Sequence, residues 1–306
     1  MRAIVVAEPG GSPALTELPE PTPRDGDVLV KVVASSLNGF DTAVAAGYLA
    51  GMMEHRYPVV LGKDFAGTVA AVGAGVTRFA VGDRVFGVVT KPYLGDGGFG
   101  EYVVVGDQIG IAAIPDGLDP SVAGVLGLAG TAAVDALDAV AVRPGETVLV
   151  SGATGGVGAI AIQYAAAAGA RVLATARPGA EADLVTSLGA SDVVDHAGDL
   201  AAQVRAISPD GVDVVLHLAG DGAALLDLLA EKGRLASTLG LGPDQHPAAA
   251  AVMATPTRAT LDRLAADAAA GKITVPVART YPLSEVPAAF GDFAGGTLGK
   301  LAVTID

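Results

Sequence analysis

The stretch Val148-Leu149-Val150-Ser151-Gly152-Ala153-Thr154-Gly155-Gly156-Val157-Gly158 runs a short apolar strand directly into a glycine turn, and Val157 to Ala168 then reads as a helix. Strand, glycine turn and helix in immediate succession is the setting in which glycines hold a dinucleotide. Gly152 permits a tight turn, Gly155 and Gly156 let the backbone approach a pyrophosphate, and Gly158 lets helix and strand pack closely. The N–H groups of the first helical turn, with the helix dipole behind them, then face the phosphates. Residues 147–170 carry no charge, but the central glycines would break a spanning helix and Gln163 follows, so strand, turn and buried helix is the better reading.

Downstream of this turn, β and α segments alternate. Strands are predicted at Arg171 to Thr175, Val193-Val194, Val212 to Leu218 and Arg234 to Thr238, with helices at Ala180 to Leu188, Leu200 to Ile207 and Ala223 to Leu229. Such alternation predicts a doubly wound parallel sheet with helices on both faces, an α/β Rossmann domain. Thr257 to Ala270 reads as a further helix, and the tail holds strand-like Lys272 to Val277 and Leu301 to Ile305. Upstream, the first 115 residues are β-rich. Val28 to Val33, Gly67 to Val72, Arg84 to Val89 and Glu101 to Val105 are each bounded by Gly, Pro or Asp, which predicts a twisted barrel or partial barrel. Pro19, Pro21 and Pro23 mark an irregular loop, and Ser121 to Val140 forms one or two helices.

Composition narrows the function classes. The 306 residues include no cysteine, which excludes disulfides, thiolate metal sites and a cysteine nucleophile. Nineteen Lys and Arg against 33 Asp and Glu give a net charge of −14, so nucleic acid and anionic membrane are poor partners. The N-terminal apolar run reaches Glu8-Pro9 too soon for a signal peptide, and a cytoplasmic location is expected.

The strand after the glycine turn bears on cofactor choice. It ends Ala174-Thr175-Ala176-Arg177-Pro178, with no acid before Glu181 to accept from a ribose 2′-hydroxyl. Arg177 suits a 2′-phosphate, so NADPH is expected over NADH, the other reading being an ordinary surface arginine.

Further marks flank this region: Ser35-Ser36-Leu37-Asn38-Gly39-Phe40-Asp41, Leu61-Gly62-Lys63-Asp64-Phe65-Ala66-Gly67-Thr68-Val69, Val81 to Gly87, Gly98 to Tyr102 and the closing Leu298-Gly299-Lys300-Leu301. Jointly and in this order, they make the chain resemble the medium-chain dehydrogenase/reductase superfamily, in its zinc-free quinone oxidoreductase (zeta-crystallin-like) branch. The resemblance implies a GroES-like catalytic domain from both chain ends, residues 1–120 with 266–306, and an inserted Rossmann NADPH-binding domain, 121–265. It also implies a cleft between the two and a homodimer. Zinc-dependent relatives carry a His-Glu pair where this chain has Lys63-Asp64, and the four histidines lack ligand spacing, so no metal is expected.

The resemblance also assigns residues. Asn38 lies towards the nicotinamide ribose and Asp41 towards the cleft, although local turn capping explains both types equally simply. Lys63 either hydrogen-bonds a developing oxyanion or pairs with Asp64 or Asp41 in place of a metal. Thr131 lies by the nicotinamide, or bonds back to its own helix. Around the cofactor come Gly152 to Gly158, then Thr175, Ala176 and Arg177. Leu218, Ala219 and Gly220, Leu239, Gly240 and Leu241, and Lys300 complete the set. His196 either contacts the 2′-phosphate or is an exposed loop histidine, and His217, in an apolar strand, reads as a satisfied core or strand-end residue. Relatives line the substrate pocket with tyrosines whose places here are Ala43 and Leu49, so Tyr48, Tyr57 or Tyr93 is the substitute. The expected reaction is metal-free hydride transfer from NADPH to a small molecule, a quinone or another activated acceptor. An enone or enoyl reductase is the near alternative, and a non-catalytic NADPH-binding sensor or structural protein the distant one.

Overall fold

The computed structural model describes Met1 to Asp306 throughout. The chain forms two compact units, Met1–Leu128 with Pro256–Asp306, and Ala129–Thr255. Against the expected 120/121 and 265/266, the divisions fall after Leu128 and after Thr255, the second because helix Arg258–Ala269 belongs to the first unit, where it packs on strand Ile111–Ala113.

In the first unit a seven-stranded sheet is built around the eleven-residue strand Asp27–Leu37. That strand pairs antiparallel with Asp64–Val72, with Tyr102–Gly106 and with the closing strand Lys300–Thr304. Its Val28, Val30, Val32 and Leu37 enter one core with Phe65, Phe99, Ile111 and Tyr281. Each such side chain contributes roughly 1.5–3 kcal/mol by leaving water. Leu301 stands opposite Leu37, so the last strand is sewn into the sheet next to the residues that begin the Asn38 motif. The tail strand is Val277–Pro282, not the expected Lys272 to Val277. Gly271 (φ 67) ends helix Arg258–Ala269, Lys272 N still bonds to Asp267 O, and Pro276 has no N–H to give a ladder.

The second unit holds a six-stranded, wholly parallel sheet. Its order is Asp192–Val194, Arg171–Thr175, Thr147–Ser151, Val212–His217, Leu229–Ser237, Ala249–Ala251. In chain order that is 3-2-1-4-5-6, the Rossmann arrangement, in which the direction of winding reverses beside the first strand. Strand Thr147–Ser151 is buried on both faces by Val148, Leu149 and Val150, which explains its unbroken apolar run. Helix Gly222–Leu226 is shorter, and strand Leu229–Ser237 longer, than expected, because Val212 pairs with Leu229 and draws 229–233 into the ladder across a register shift. No helix of the chain is long and apolar enough to cross a membrane.

Candidate active site

At the crest of the parallel sheet the glycine turn has the geometry its residues require. Gly152 adopts φ 78, in the left-handed region. A Cβ on Gly158 would stand 2.4 Å from Gly152 O and 2.7 Å from Ala153 Cα, so only glycine lets helix Gly156–Ala167 approach the turn. Ala153 is buried, while Thr154, Gly155, Gly156 and Val157 are partly open. Thr175 Oγ1 accepts from Gly152 N at 3.0 Å and donates to Val150 O at 3.2 Å. Thr175 therefore braces the turn, and Ala176, also buried, bonds through its N–H to Val194 O. On the other side Ser151 Oγ donates to Ala219 O at 2.5 Å, and Leu218 N to Ser151 O at 3.2 Å. Gly220 and Gly240 take positive φ in the loops beyond, and Leu239 is largely exposed with Leu241 half-buried.

Arg177 is exposed at the end of its strand, but it is not alone. Glu181, one helical turn on, accepts from Arg177 Nε and Arg177 N at 2.7 Å each, and from Nη2. His196 Nε2 lies 3.5 Å from the same carboxylate. The Arg177 hydrogen bonds hold the Glu181 carboxyl below the usual range. Sequence reading passed over Glu181 as a partner, although its i,i+4 spacing from Arg177 was the available signal.

The first unit holds a buried ionic cluster. Asp64 Oδ2 accepts from Ser36 Oγ at 2.5 Å and Asn38 Nδ2 at 2.8 Å, and Oδ1 from Leu128 N at 2.7 Å. Lys300 Nζ donates to Leu37 O at 3.2 Å and Asn38 Oδ1 at 2.5 Å, and stands 3.5 Å from Asp64 Oδ2. Asn38 is thus gripped at both ends of its carboxamide, with Nδ2 also donating to Ser36 O. Asn38 N donates to Asp41 Oδ2 at 2.9 Å at the start of helix Gly39–Ala45. Burial first, then the charge of Asp64, raises Asp41 from 3.8 to about 7.

Lys300, expected at the cofactor, has its ammonium engaged by Leu37, Asn38 and Asp64. Of the two carboxylates expected as possible partners of Lys63, Asp64 stands beside Lys300, and Lys63 Nζ donates to Val89 O and lies 5.1 Å from the centre of the Phe40 ring. Burial lowers the Lys63 pKa against the pull of Asp41 and Asp64. Thr131 is buried in helix Gly127–Val140. Tyr48 is 76% exposed. Tyr57 stacks on His55 at 5.6 Å, and Tyr93 lies beneath the Arg56 guanidinium with its hydroxyl on Asp96. Burial and Asp96 push the Tyr93 phenol up to about 12. Ser36, on Asp64, and Ser151, on Ala219 O, also shape these two clusters, and sequence reading gave neither of them a role.

Comparison with known proteins agrees with both units. The family described as alcohol dehydrogenase GroES-like domain matches residues 24–116, and that described as zinc-binding dehydrogenase matches 156–261. Quinone oxidoreductase of Sus scrofa is 34% identical over 251 residues, 79% of this chain and 74% of that relative. A mycocerosic acid synthase-like polyketide synthase of Mycobacterium tuberculosis is 33% identical over 299 residues, 87% of this chain but 13% of that protein. Among solved structures, quinone oxidoreductase from Coxiella burnetii superposes with a TM-score of 0.90 at 30% identity, covering 100% and 99% of the two chains. A mycobacterial protein solved in complex with NADPH gives 0.85 at 30%, covering 99% and 100%. A GroES-like unit joined to a Rossmann unit with a glycine turn defines an oxidoreductase of the medium-chain dehydrogenase/reductase superfamily. Within it, this chain belongs to the quinone oxidoreductase-like branch.

Proposed function

We propose that this oxidoreductase uses NADPH to reduce a quinone or similarly activated acceptor, without a metal. The observation that carries the cofactor preference is the state of Glu181. Both its oxygens already face Arg177 or His196, so no free carboxylate at this strand end awaits a ribose 2′-hydroxyl. The outer edges of Arg177 and His196, 63% and 50% exposed, are suited to a 2′-phosphate dianion. The crest also fits a pyrophosphate, since a Cβ on Gly155 would meet only Gly152 O, at 3.5 Å, and a twelve-residue helix begins at the next residue. When bound, the reduced nicotinamide supplies the hydride. The chain's own part is to hold the glycine turn through Thr175 and Ser151, to orient the partners and to exclude water.

In the first unit positive charge is supplied by Lys63 and Lys300 about Asp41 and Asp64, an arrangement that would repel a divalent cation. Without a Lewis acid, an acceptor that spreads the incoming charge onto its own oxygen is the suitable class. A second reading, reduction of an enone or enoyl thioester, is favoured by the polyketide synthase relative, whose match spans most of this chain. A cytoplasmic location and the homodimer that the resemblance implies are part of this reading, and sedimentation equilibrium tests the dimer.

The deciding experiment follows the absorbance of reduced nicotinamide with quinones, enones and enoyl thioesters, supplying NADPH or NADH. Consumption of NADPH with quinones is expected. Turnover with enones or thioesters alone selects the second reading, and equal use of NADH overturns the cofactor assignment.

A further inference from the structure

Two loops at the crest of the second unit are tied together through one buried imidazole. His217 ends strand Val212–His217 and is 4% exposed. Its neighbour across the parallel pair is Ser237, the last residue of Leu229–Ser237. Ser237 Oγ stands 3.0 Å from His217 Nδ1, and also accepts from Leu239 N at 3.0 Å and Leu241 N at 3.3 Å. On its other side, His217 Nε2 lies 3.2 Å from Gly220 O.

The hydrogen atoms can be counted. A serine hydroxyl has one hydrogen to donate and two lone pairs to accept with. The amides of Leu239 and Leu241 occupy both lone pairs, so the hydroxyl hydrogen goes to His217 Nδ1. The ring hydrogen then sits on Nε2 and is donated to Gly220 O. The neutral Nε2–H tautomer alone satisfies all four contacts. The neighbouring backbone leaves room for this ring, because a Cβ on Gly222 would come 2.8 Å from His217 Cε1.

We propose that His217 and Ser237 are positioning residues for the nicotinamide half of the cofactor, acting through backbone 218–220 and 238–241. The inference rests on the dinucleotide reading given above. In a 3-2-1-4-5-6 sheet the dinucleotide crosses the reversal point, so its two halves lie over opposite sides of the first strand. Arg177 and Thr175, on the second strand's side, serve the adenosine half. His217 and Ser237 end the fourth and fifth strands, on the other side, and neither contact reaches the glycine turn.

The two halves can be titrated separately on the full-length chain. NADPH reports the whole site and 2′,5′-ADP the adenosine half, each measured by calorimetry on wild type, Ser237→Ala and His217→Asn. The expected result is NADPH binding weakened about tenfold in Ser237→Ala, which removes the three hydrogen bonds of Oγ, with 2′,5′-ADP affinity unchanged. His217→Asn, which keeps an acceptor near Nδ1 but cannot reach Gly220, weakens NADPH less and again spares 2′,5′-ADP. Unaltered NADPH binding in both variants overturns the inference. So does parallel loss of both ligands, which would give the pair a purely structural role. Failure of wild type to bind either ligand is a different outcome, and overturns the dinucleotide reading itself.

Discussion

Lys300 Nζ stands 3.5 Å from Asp64 Oδ2 with both side chains buried, and the same ammonium donates to Asn38 Oδ1. Burial pulls the Lys300 pKa down while Asp64 and Asp41 push it back up. One contact therefore fastens the closing strand to the sheet and fixes the carboxamide of Asn38. Lys300→Met leaves Asp64 buried without its nearest cation, a change of the kind that costs about 3–5 kcal/mol. The urea midpoint should fall accordingly, and adding Asp64→Asn in the same chain should recover part of the loss. An unchanged midpoint in Lys300→Met would show that the pair contributes little.

Asp41 makes stability depend on pH in an unusual direction. Its pKa rises from 3.8 to about 7 on folding, so between those values the folded chain holds a proton that the unfolded chain has released. This group's contribution is fully present below 3.8, falls as pH rises towards 7, and is flat above. Asp41→Asn keeps an acceptor for Asn38 N and has no charge to bury. The variant should gain stability over wild type at pH above about 7 and lose that advantage near pH 4. Thermal unfolding at several pH values tests this, and a constant difference would refute it.

Two glycines separate fold from binding. A Cβ on Gly158 meets backbone at 2.4 Å, so Gly158→Ala should lower thermal stability and dinucleotide affinity together. A Cβ on Gly155 meets only Gly152 O, at 3.5 Å, an ordinary contact. Gly155→Ala should leave unfolding unchanged and still weaken NADPH, because the methyl would stand where the pyrophosphate approaches. Undiminished affinity in Gly155→Ala would move the phosphates elsewhere.

Arg177→Ala should weaken NADPH by about tenfold or more, the scale of a charge-assisted contact to phosphate, and leave NADH almost untouched. The wild-type preference should also shrink with added salt, because Arg177 is exposed. Parallel losses for the two cofactors would remove Arg177 from the 2′-phosphate site.

Much of the fold was legible because its signals are local. Strand Arg171–Thr175 and helix Leu200–Ile207 lie where apolar periodicity and turn residues put them. The glycine turn was readable for the same reason, since strand, turn and helix are contiguous. The tail strand was misplaced because Pro276 and the ladder to Lys300–Thr304 outweigh the apolar look of 272–277.

The candidate site was legible as residue types and not as partnerships. By itself, the sequence determined that a glycine turn opens an α/β alternation, that cysteine chemistry is absent, and that Arg177 follows the second strand of the series without an acid beside it. Only the tertiary structure decided that Glu181 turns back onto Arg177, that Lys300 rather than Lys63 pairs with Asp64, and that Ser237 orients His217. Turn chemistry and periodicity act over a few residues, where chain order and spatial order coincide. A buried charge or hydroxyl takes the partner that strand order and register bring within about 3 Å, and those are set by the packing of the whole sheet.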